Sequence, residues 1–415
     1  MRIGVVGLGY VGLALAAAFA DSGADVVGVD IDRRRVEDVR AGRVALHDLT
    51  LDERALGGVR ATTDYAALSD CDAVVVCVPT PLTPNQEPDL APLLGAAHAL
   101  AGVLRAGQLV VLESTTFPGT TRERLAPILE GSGLRAGADF HLAYSPERLD
   151  PGREGHGLRS TPKLVAGLTP ACARRAEALY RTVCDDVVPV STTDVAEFTK
   201  LLENIFRSVN IALVNELAVL ADRMDVDIWE VVEAAATKPY GFMSFRPGPG
   251  MGGHCLPVDP FYLSWRAREF GLSCEFVELA GKVNQRMPEH CAARVQRALN
   301  ADGRAVKGAR VLVLGVAYKA GIPDTRQSPA LAIMEILGGL GAELAYHDPH
   351  VPRLASAGLS SRELDEALTW ADVAVIVTAH PEVDHAQVAQ RARLVVDLRG
   401  VTRDAGVSSD SVVRL

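Results

Sequence analysis

The residues Phe245 to Pro260 read FRPGPGMGGHCLPVDP, setting Cys255 among glycines and prolines. So little side chain around a thiol predicts an open backbone cradle, whose N–H groups can meet an oxyanion and lower the thiol pKa. A cysteine buried merely as a small hydrophobe needs no such surroundings, so Cys255 is the candidate nucleophile. His254 adjoins it, but consecutive side chains point apart, and no Cys–His dyad is inferred. A second set, Glu197, Lys200, Asn204, Arg207, Ser208 and Asn215, recurs at helical spacing along an apolar segment. Lys200 and Asn204, one turn apart, suit a stabiliser of a developing alkoxide and an orienting hydrogen-bond donor. Glu197 and Arg207 read equally well as a solvated face. Two further clusters follow apolar runs: Glu113 to Thr120 (ESTTFPGT) and Tyr144 to Gly152 (YSPERLDPG). The first lies just past a strand's carboxyl end, where α/β sheets bind ligands.

The elements that must hold these groups begin with a cofactor turn. Gly7-Leu8-Gly9-Tyr10-Val11-Gly12 directly follows the apolar run Arg2–Val6 and opens a small-residue helix expected over Leu13–Ser22. Gly7 permits the tight turn, Gly9 the approach of a pyrophosphate, and Gly12 close helix–strand packing. Asp30, ending the second strand, is placed to take the adenosine ribose hydroxyls and to repel the extra phosphate of NADP, which predicts NAD. The run Arg33–Arg35 offers a 2′-phosphate neutraliser, a ribose or phosphate contact, or a solvated helix start. Further short β-branched runs at Ala73–Val78, Leu109–Leu112 and Val187–Val190 alternate with helical stretches, predicting a parallel sheet covered on both faces. Asp194 to Asp222 reads as one long helix, apolar around most of its circumference and therefore expected to be buried, including between subunits. From Gly308 the alternation resumes: Arg310–Gly315, a helix from Ser328 to Gly339, a strand ending at His347-Asp348-Pro349, then Val373–Val377 and Leu394–Val396. The two ends echo each other, through duplication or because any two βαβ units look alike.

Composition narrows the class. The chain is 48% apolar and 23% charged over 415 residues, enough for two or three cored domains. Its net charge of −10 and the absence of any basic tract beyond Arg33–Arg35 argue against nucleic-acid binding. No uninterrupted apolar run approaches the ~20 residues of a membrane helix, and no signal core opens the chain. Seven cysteines form no CxxC pair, which fits reduced thiols in a cytoplasmic protein and suggests no metal site.

Over essentially its whole length the chain resembles the nucleotide-sugar 6-dehydrogenases, the family of UDP-glucose dehydrogenase. The motifs are GLGYVGL at 7–13, CVPTP at 77–81, STTFPGTT at 114–121, YSPERLDPG at 144–152, AEFTKLLENIFRSVNIALVNELA at 196–218, PGPGMGGHCLPVDP at 247–260, LGVAYKAGIPDTRQSP at 314–329 and YHDP at 346–349. The resemblance implies an α/β fold of two Rossmann-like doubly wound parallel-sheet domains joined by a helical middle with a long central helix. The divisions expected are 1–190 for NAD, 191–300 for the helical, subunit-packing part with the cysteine loop, and 301–415 for the UDP-sugar. It implies oxidation of a sugar C6 alcohol to a carboxylate with two NAD⁺. Cys255 would trap the aldehyde as a thiohemiacetal that becomes a thioester. Lys200 and Asp259 would handle protons and the alkoxide, Asn204 would donate a hydrogen bond, Thr115 would hold the reacting water or hydroxyl, and Glu147 would assist hydrolysis. Tyr10, Val11, Arg35, Val78, Pro79, Thr80, Ser114, Thr115 and Arg326 join the glycines and Asp30 at NAD. Glu147, Arg148, Leu149, Lys200, Asn204, Arg246, Gly252, Tyr318, Lys319 and Arg399 face the UDP-sugar. A homodimer is the minimum assembly implied.

Pro151 stands where UDP-glucose enzymes commonly carry a further acid, and His-Cys-Leu-Pro around Cys255 differs from their usual flanks. With TKPYGF at 237–242, the set looks closest to the branch that oxidises UDP-N-acetylglucosamine. UDP-glucose and UDP-N-acetylmannosamine are the rival substrates. A silent NAD-binding regulator on the same fold is the rival class, against which stand the retained Cys255, Lys200, Asn204 and Asp259. A hydroxyacid or 6-phosphogluconate-type dehydrogenase would need neither the cysteine loop nor the second α/β domain.

Overall fold

A computed structural model describes residues 1–43, 56–148, 157–253 and 258–415. They form two compact units: Met1–Asn204 with Phe261–Ser273, and Ile205–Pro260 with Cys274–Leu415.

In the first unit, β1 (Arg2–Val6), β2 (Asp25–Val29), β3 (Val59–Thr62), β4 (Ala73–Val76), β5 (Leu109–Leu112), β6 (His141–Tyr144), β7 (Lys163–Gly167) and β8 (Val187–Pro189) make one sheet. Its order is β3-β2-β1-β4-β5-β6-β7-β8. The strand period of two sends Ile3, Val5, Val75 and Val111 into one core and Val6, Val74, Val76 and Val110 into another. Both faces are therefore covered, as the apolar runs predict. The departure from the expected parallel sheet is β7, which runs antiparallel to β6. A parallel neighbour needs a crossover, usually a helix, and among the described residues between Tyr144 and Lys163 there is none.

In the second unit β9 (Arg310–Leu314), β10 (Glu343–His347), β13 (Val373–Ile376), β14 (Val395–Asp397) and β15 (Val412–Arg414) form a parallel sheet in the order β10-β9-β13-β14-β15. The pair β11 (Arg353–Leu354) and β12 (Leu359–Ser360) is a separate antiparallel ribbon. The echo between the chain ends extends to single hydrogen bonds. Gly7 N–H donates to the Val29 carbonyl (2.8 Å) and Gly315 N–H to that of His347 (2.9 Å). Leu8 N–H donates to Asp30 (2.7 Å) and Val316 N–H to Asp348 (2.8 Å).

The long helix spans Thr193–Met224. Within the single chain its burial is partial. The polar Glu197, Lys200, Ser208 and Asn215 are buried, whereas Val195, Phe198, Leu202, Phe206, Leu213, Leu217 and Leu220 are exposed. The reason is that the charged and amide groups find partners inside the fold, which leaves the apolar stripe outward. By length and composition this helix would suffice to cross a membrane, but a buried face with these polar side chains is that of a packing helix.

Candidate active site

The glycine turn is shaped for a dinucleotide. Gly7 has φ +89°, and a Cβ there would lie 2.6 Å from the Cys77 carbonyl oxygen. At Gly12 a Cβ would fall 1.8 Å from the Gly7 oxygen, so both positions exclude any side chain. A Cβ at Gly9 would meet only Arg35, at 4.0 Å, leaving the room a pyrophosphate needs at the N-terminus of the helix Tyr10–Asp21. Asp30 is buried; its Oδ2 accepts from Leu8 N–H, and its Oδ1 from Asp32 N–H at 2.9 Å. Arg35 Nη1 lies 3.2 Å from Oδ2. This pairing of Arg35 with Asp30 is none of the readings the arginine run left open.

Beside this turn the ends of β4 and β5 are tied together. Ser114 Oγ donates to the Val78 carbonyl (2.7 Å) and Thr80 Oγ1 to the Thr115 carbonyl (2.8 Å). Tyr262, from the helix Asp259–Glu269, donates to the Thr80 carbonyl at 2.7 Å. Val78, Pro79, Thr80, Ser114 and Thr115 are thus one rigid rim.

Glu147, just past β6, lies 3.9 Å from the buried Lys200 amine on the long helix, a partly shielded ion pair. Asn204 is one turn beyond Lys200. In the first unit Lys200 thus pairs with Glu147, and Glu147 lines a small cavity with Val11 of the glycine turn. Arg148, expected at the substrate, is held in a two-pronged pair by Glu203 (2.6 and 3.3 Å) and donates to the Pro162 carbonyl at 2.7 Å. Glu197, left open by the sequence, is an anchor. It accepts from Gly119 N–H (2.6 Å), Thr121 N–H (2.8 Å) and the Thr121 hydroxyl (2.7 Å), fixing the TFPGTT turn. Burial lifts its carboxyl to about 7 despite the donors from Thr121 and Gly119. Arg207 is exposed, as a solvated face requires.

The second unit holds the remaining expected residues. Asp259 opens its helix and is buried. The Pro-Gly loop is anchored by Asn215, whose Oδ1 accepts from Gly248 N–H (2.9 Å) while its amide donates to Asn284 (2.9 Å). The glycines expected to open space around the thiol serve close packing where they are described. A Cβ on Gly252 would sit 2.6 Å from Tyr318 Cβ, and one on Gly253 2.8 Å from the Tyr318 ring. Cys255, with His254 and Leu256, lies outside the described residues, as do Leu149 and Pro151. Arg399 is half-buried against Gly248, where a Cβ would meet its Nη1 at 2.5 Å. It has no ion-pair partner among the described residues, and burial, reinforced by Arg246 and opposed by Asp397, lowers its pKa. Arg246 pairs with Asp404 at 2.6 Å. Tyr318 and Lys319 are half-buried, and Arg326 is chelated by Asp324. A half-buried guanidinium without a carboxylate suits a phosphate.

His350, His380 and Glu382 bring three potential ligand atoms within 4.8 Å of one another. His380, however, is engaged at both ring nitrogens. Gly321 N–H donates to Nδ1 (3.2 Å), so the proton sits on Nε2, facing Asp348 at 3.1 Å. Asp348, though burial pushes it up, is brought to about 2 by its hydrogen bonds from His380 and Ala317. This carboxylate, the counterpart of Asp30, is consumed inside its own domain.

Sequence models of three domains of the UDP-glucose/GDP-mannose dehydrogenase family match the chain: the NAD binding domain at 1–184, the central domain at 194–286 and the UDP binding domain at 312–404. The chain belongs to this family. It is an NAD-dependent UDP-sugar dehydrogenase. It is 38% identical to the UDP-N-acetyl-D-mannosamine dehydrogenase of Pyrococcus horikoshii over 98% of this chain and 97% of that protein. Identity to the UDP-N-acetyl-D-glucosamine 6-dehydrogenase of Pseudomonas aeruginosa is also 38%, over 85% of this chain and 83% of the relative. A solved UDP-D-ManNAc dehydrogenase from P. horikoshii superposes with a TM-score of 0.90 at 36% identity, covering 100% of this chain and 99% of the other. The family was legible in the run of motifs along the chain, and NAD in the glycine turn. The sequence reading singled out neither Tyr262 nor Asn284, since a helix tyrosine and a helix asparagine carry no local signal of what they will hold.

Proposed function

We propose that this dehydrogenase oxidises the C6 hydroxyl of UDP-N-acetylglucosamine to the carboxylate, in two oxidations within one active site. The supporting observation is the Lys200–Glu147 pair at 3.9 Å beside the dinucleotide turn, a shielded base and acid where a sugar alcohol must lose a proton. Bound NAD⁺ supplies the hydride acceptor; Gly7, Gly9, Gly12, Asp30, Arg35 and the rim at 78–80 and 114–115 hold it. Lys200 and Asp259 take the hydroxyl proton and steady the alkoxide, with Asn204 donating a hydrogen bond. Cys255 adds to the aldehyde as a thiohemiacetal and, after the second oxidation, carries the acyl group as a thioester. Water held by Thr115 and assisted by Glu147 hydrolyses it, returning the thiol. Arg399, Arg246, Lys319, Tyr318 and Gly252 take the UDP portion, and Arg326 contacts the cofactor. The three-part division at 190 and 300, a cytoplasmic location without membrane or nucleic-acid partners, and a homodimer packed through the exposed stripe of the long helix complete the reading.

UDP-N-acetylmannosamine is the second reading, favoured by similarity to the P. horikoshii enzyme over nearly the whole chain. NADH formation with UDP-N-acetylglucosamine, UDP-N-acetylmannosamine and UDP-glucose under matched conditions separates them. The gluco 2-acetamido sugar is expected to turn over fastest, and a clear preference for either alternative overturns the assignment.

A further inference from the structure

Beneath Glu147 lies a buried ionic cluster that the reaction scheme does not use. Glu113, just past β5, is 1% exposed, Lys163 at the start of β7 is 3% exposed, and Tyr180, ending the helix Pro170–Tyr180, is fully buried. The Lys163 amine donates to one Glu113 oxygen and the Tyr180 hydroxyl to the other. The amine also sits 5.1 Å from the centre of the Tyr180 ring. Taking such a pair out of water costs more than packing apolar side chains of the same size, so stability alone is a poor reason for it. Its further contact is the informative one: Lys163 Nζ donates to the Pro146 carbonyl at 3.0 Å. That carbonyl belongs to the peptide unit joining Pro146 to Glu147, whose carboxylate faces Lys200. A small cavity is lined by Glu113, Lys163, Glu147, Arg148 and Val11 of the glycine turn, so the cluster and Glu147 share one wall with the cofactor site.

We propose that Lys163, held by Glu113 and Tyr180, is a positioning residue that pins the Pro146–Glu147 peptide and so keeps the Glu147 carboxylate at Lys200. Glu113 fixes the ammonium, which donates another of its three protons to the backbone carbonyl of the residue preceding Glu147. This inference rests on the reading above in which Glu147 takes part in turnover.

The test is a double-mutant comparison on the full-length enzyme, with NAD⁺ and UDP-N-acetylglucosamine or UDP-N-acetylmannosamine. Lys163→Met alone would strand a buried carboxylate and threaten folding, so it is paired as Lys163→Met/Glu113→Gln, which is neutral. The pair should lower kcat by roughly 30-fold while the KM for NAD⁺ stays within about twofold, because a misplacement of around an ångström carries such a penalty. In a Glu147→Gln background the same pair should change kcat by less than about threefold, since residues acting through one group are not additive. Equal losses in both backgrounds, or wild-type kcat in the pair, would overturn the proposal. Wild-type kcat in Glu147→Gln alone would overturn the role of Glu147 itself, and is seen without touching Lys163.

Discussion

Lys200 and Glu147 come from distant parts of the chain, yet only their meeting gives either a role. Replacing Lys200 with Met should lower kcat by at least about a hundredfold, since general acid–base groups contribute on that scale. The KM for NAD⁺ should hardly move, which steady-state kinetics would check; an unchanged kcat would remove Lys200 from the chemistry. Asp30 sets the second expectation at this scale. If its carboxylate takes the ribose hydroxyls, as proposed, NAD⁺ should be favoured over NADP⁺ by at least about tenfold in kcat/KM, or ~1.4 kcal/mol. Equal values would mean that Arg35, 3.2 Å away, governs the choice instead. The tight glycine turn was legible because backbone geometry leaves no room for a side chain at Gly7 and Gly12. The Lys163–Glu113–Tyr180 cluster was not, because a lysine opening an apolar strand looks like any strand end until the fold shows what its amine touches.

The long helix is where sequence periodicity and structure diverge most. Spacing showed two stripes, but not which faces inward, because a polar stripe is buried only if remote backbone groups satisfy it. For Glu197 those groups are Gly119 and Thr121. Its pH behaviour follows from the raised carboxyl. With a folded value near 7 against an ordinary 4.5, the folded state binds the extra proton, so its contribution is greatest below the ordinary value and is lost as pH rises through about 7. Thermal unfolding of wild type should therefore weaken more between pH 5.5 and 8 than that of Glu197→Gln. Parallel slopes would contradict that origin. The β6–β7 reversal escaped the sequence reading for a related reason: strand composition reports burial, whereas direction is decided by what connects the strands.

At the scale of the molecule, the alternation of strands and helices and the echo of its two ends were legible, and the echo proves to reach individual hydrogen bonds. For assembly the sequence offers only an expectation, from the apolar excess on one helix. If a second copy covers the exposed stripe, Leu213→Glu/Leu217→Glu should shift the enzyme to monomer in light scattering after size exclusion; an unchanged mass would place the interface elsewhere. In the proposed reaction a single thiol, that of Cys255, serves both oxidations. Its most direct test is to measure NADH and uronate in the same reaction for wild type and Cys255→Ala. Wild type should give two NADH for each uronate with no free aldehyde, whereas the variant should lose uronate formation by several orders of magnitude. Near-normal uronate from Cys255→Ala would contradict the covalent route.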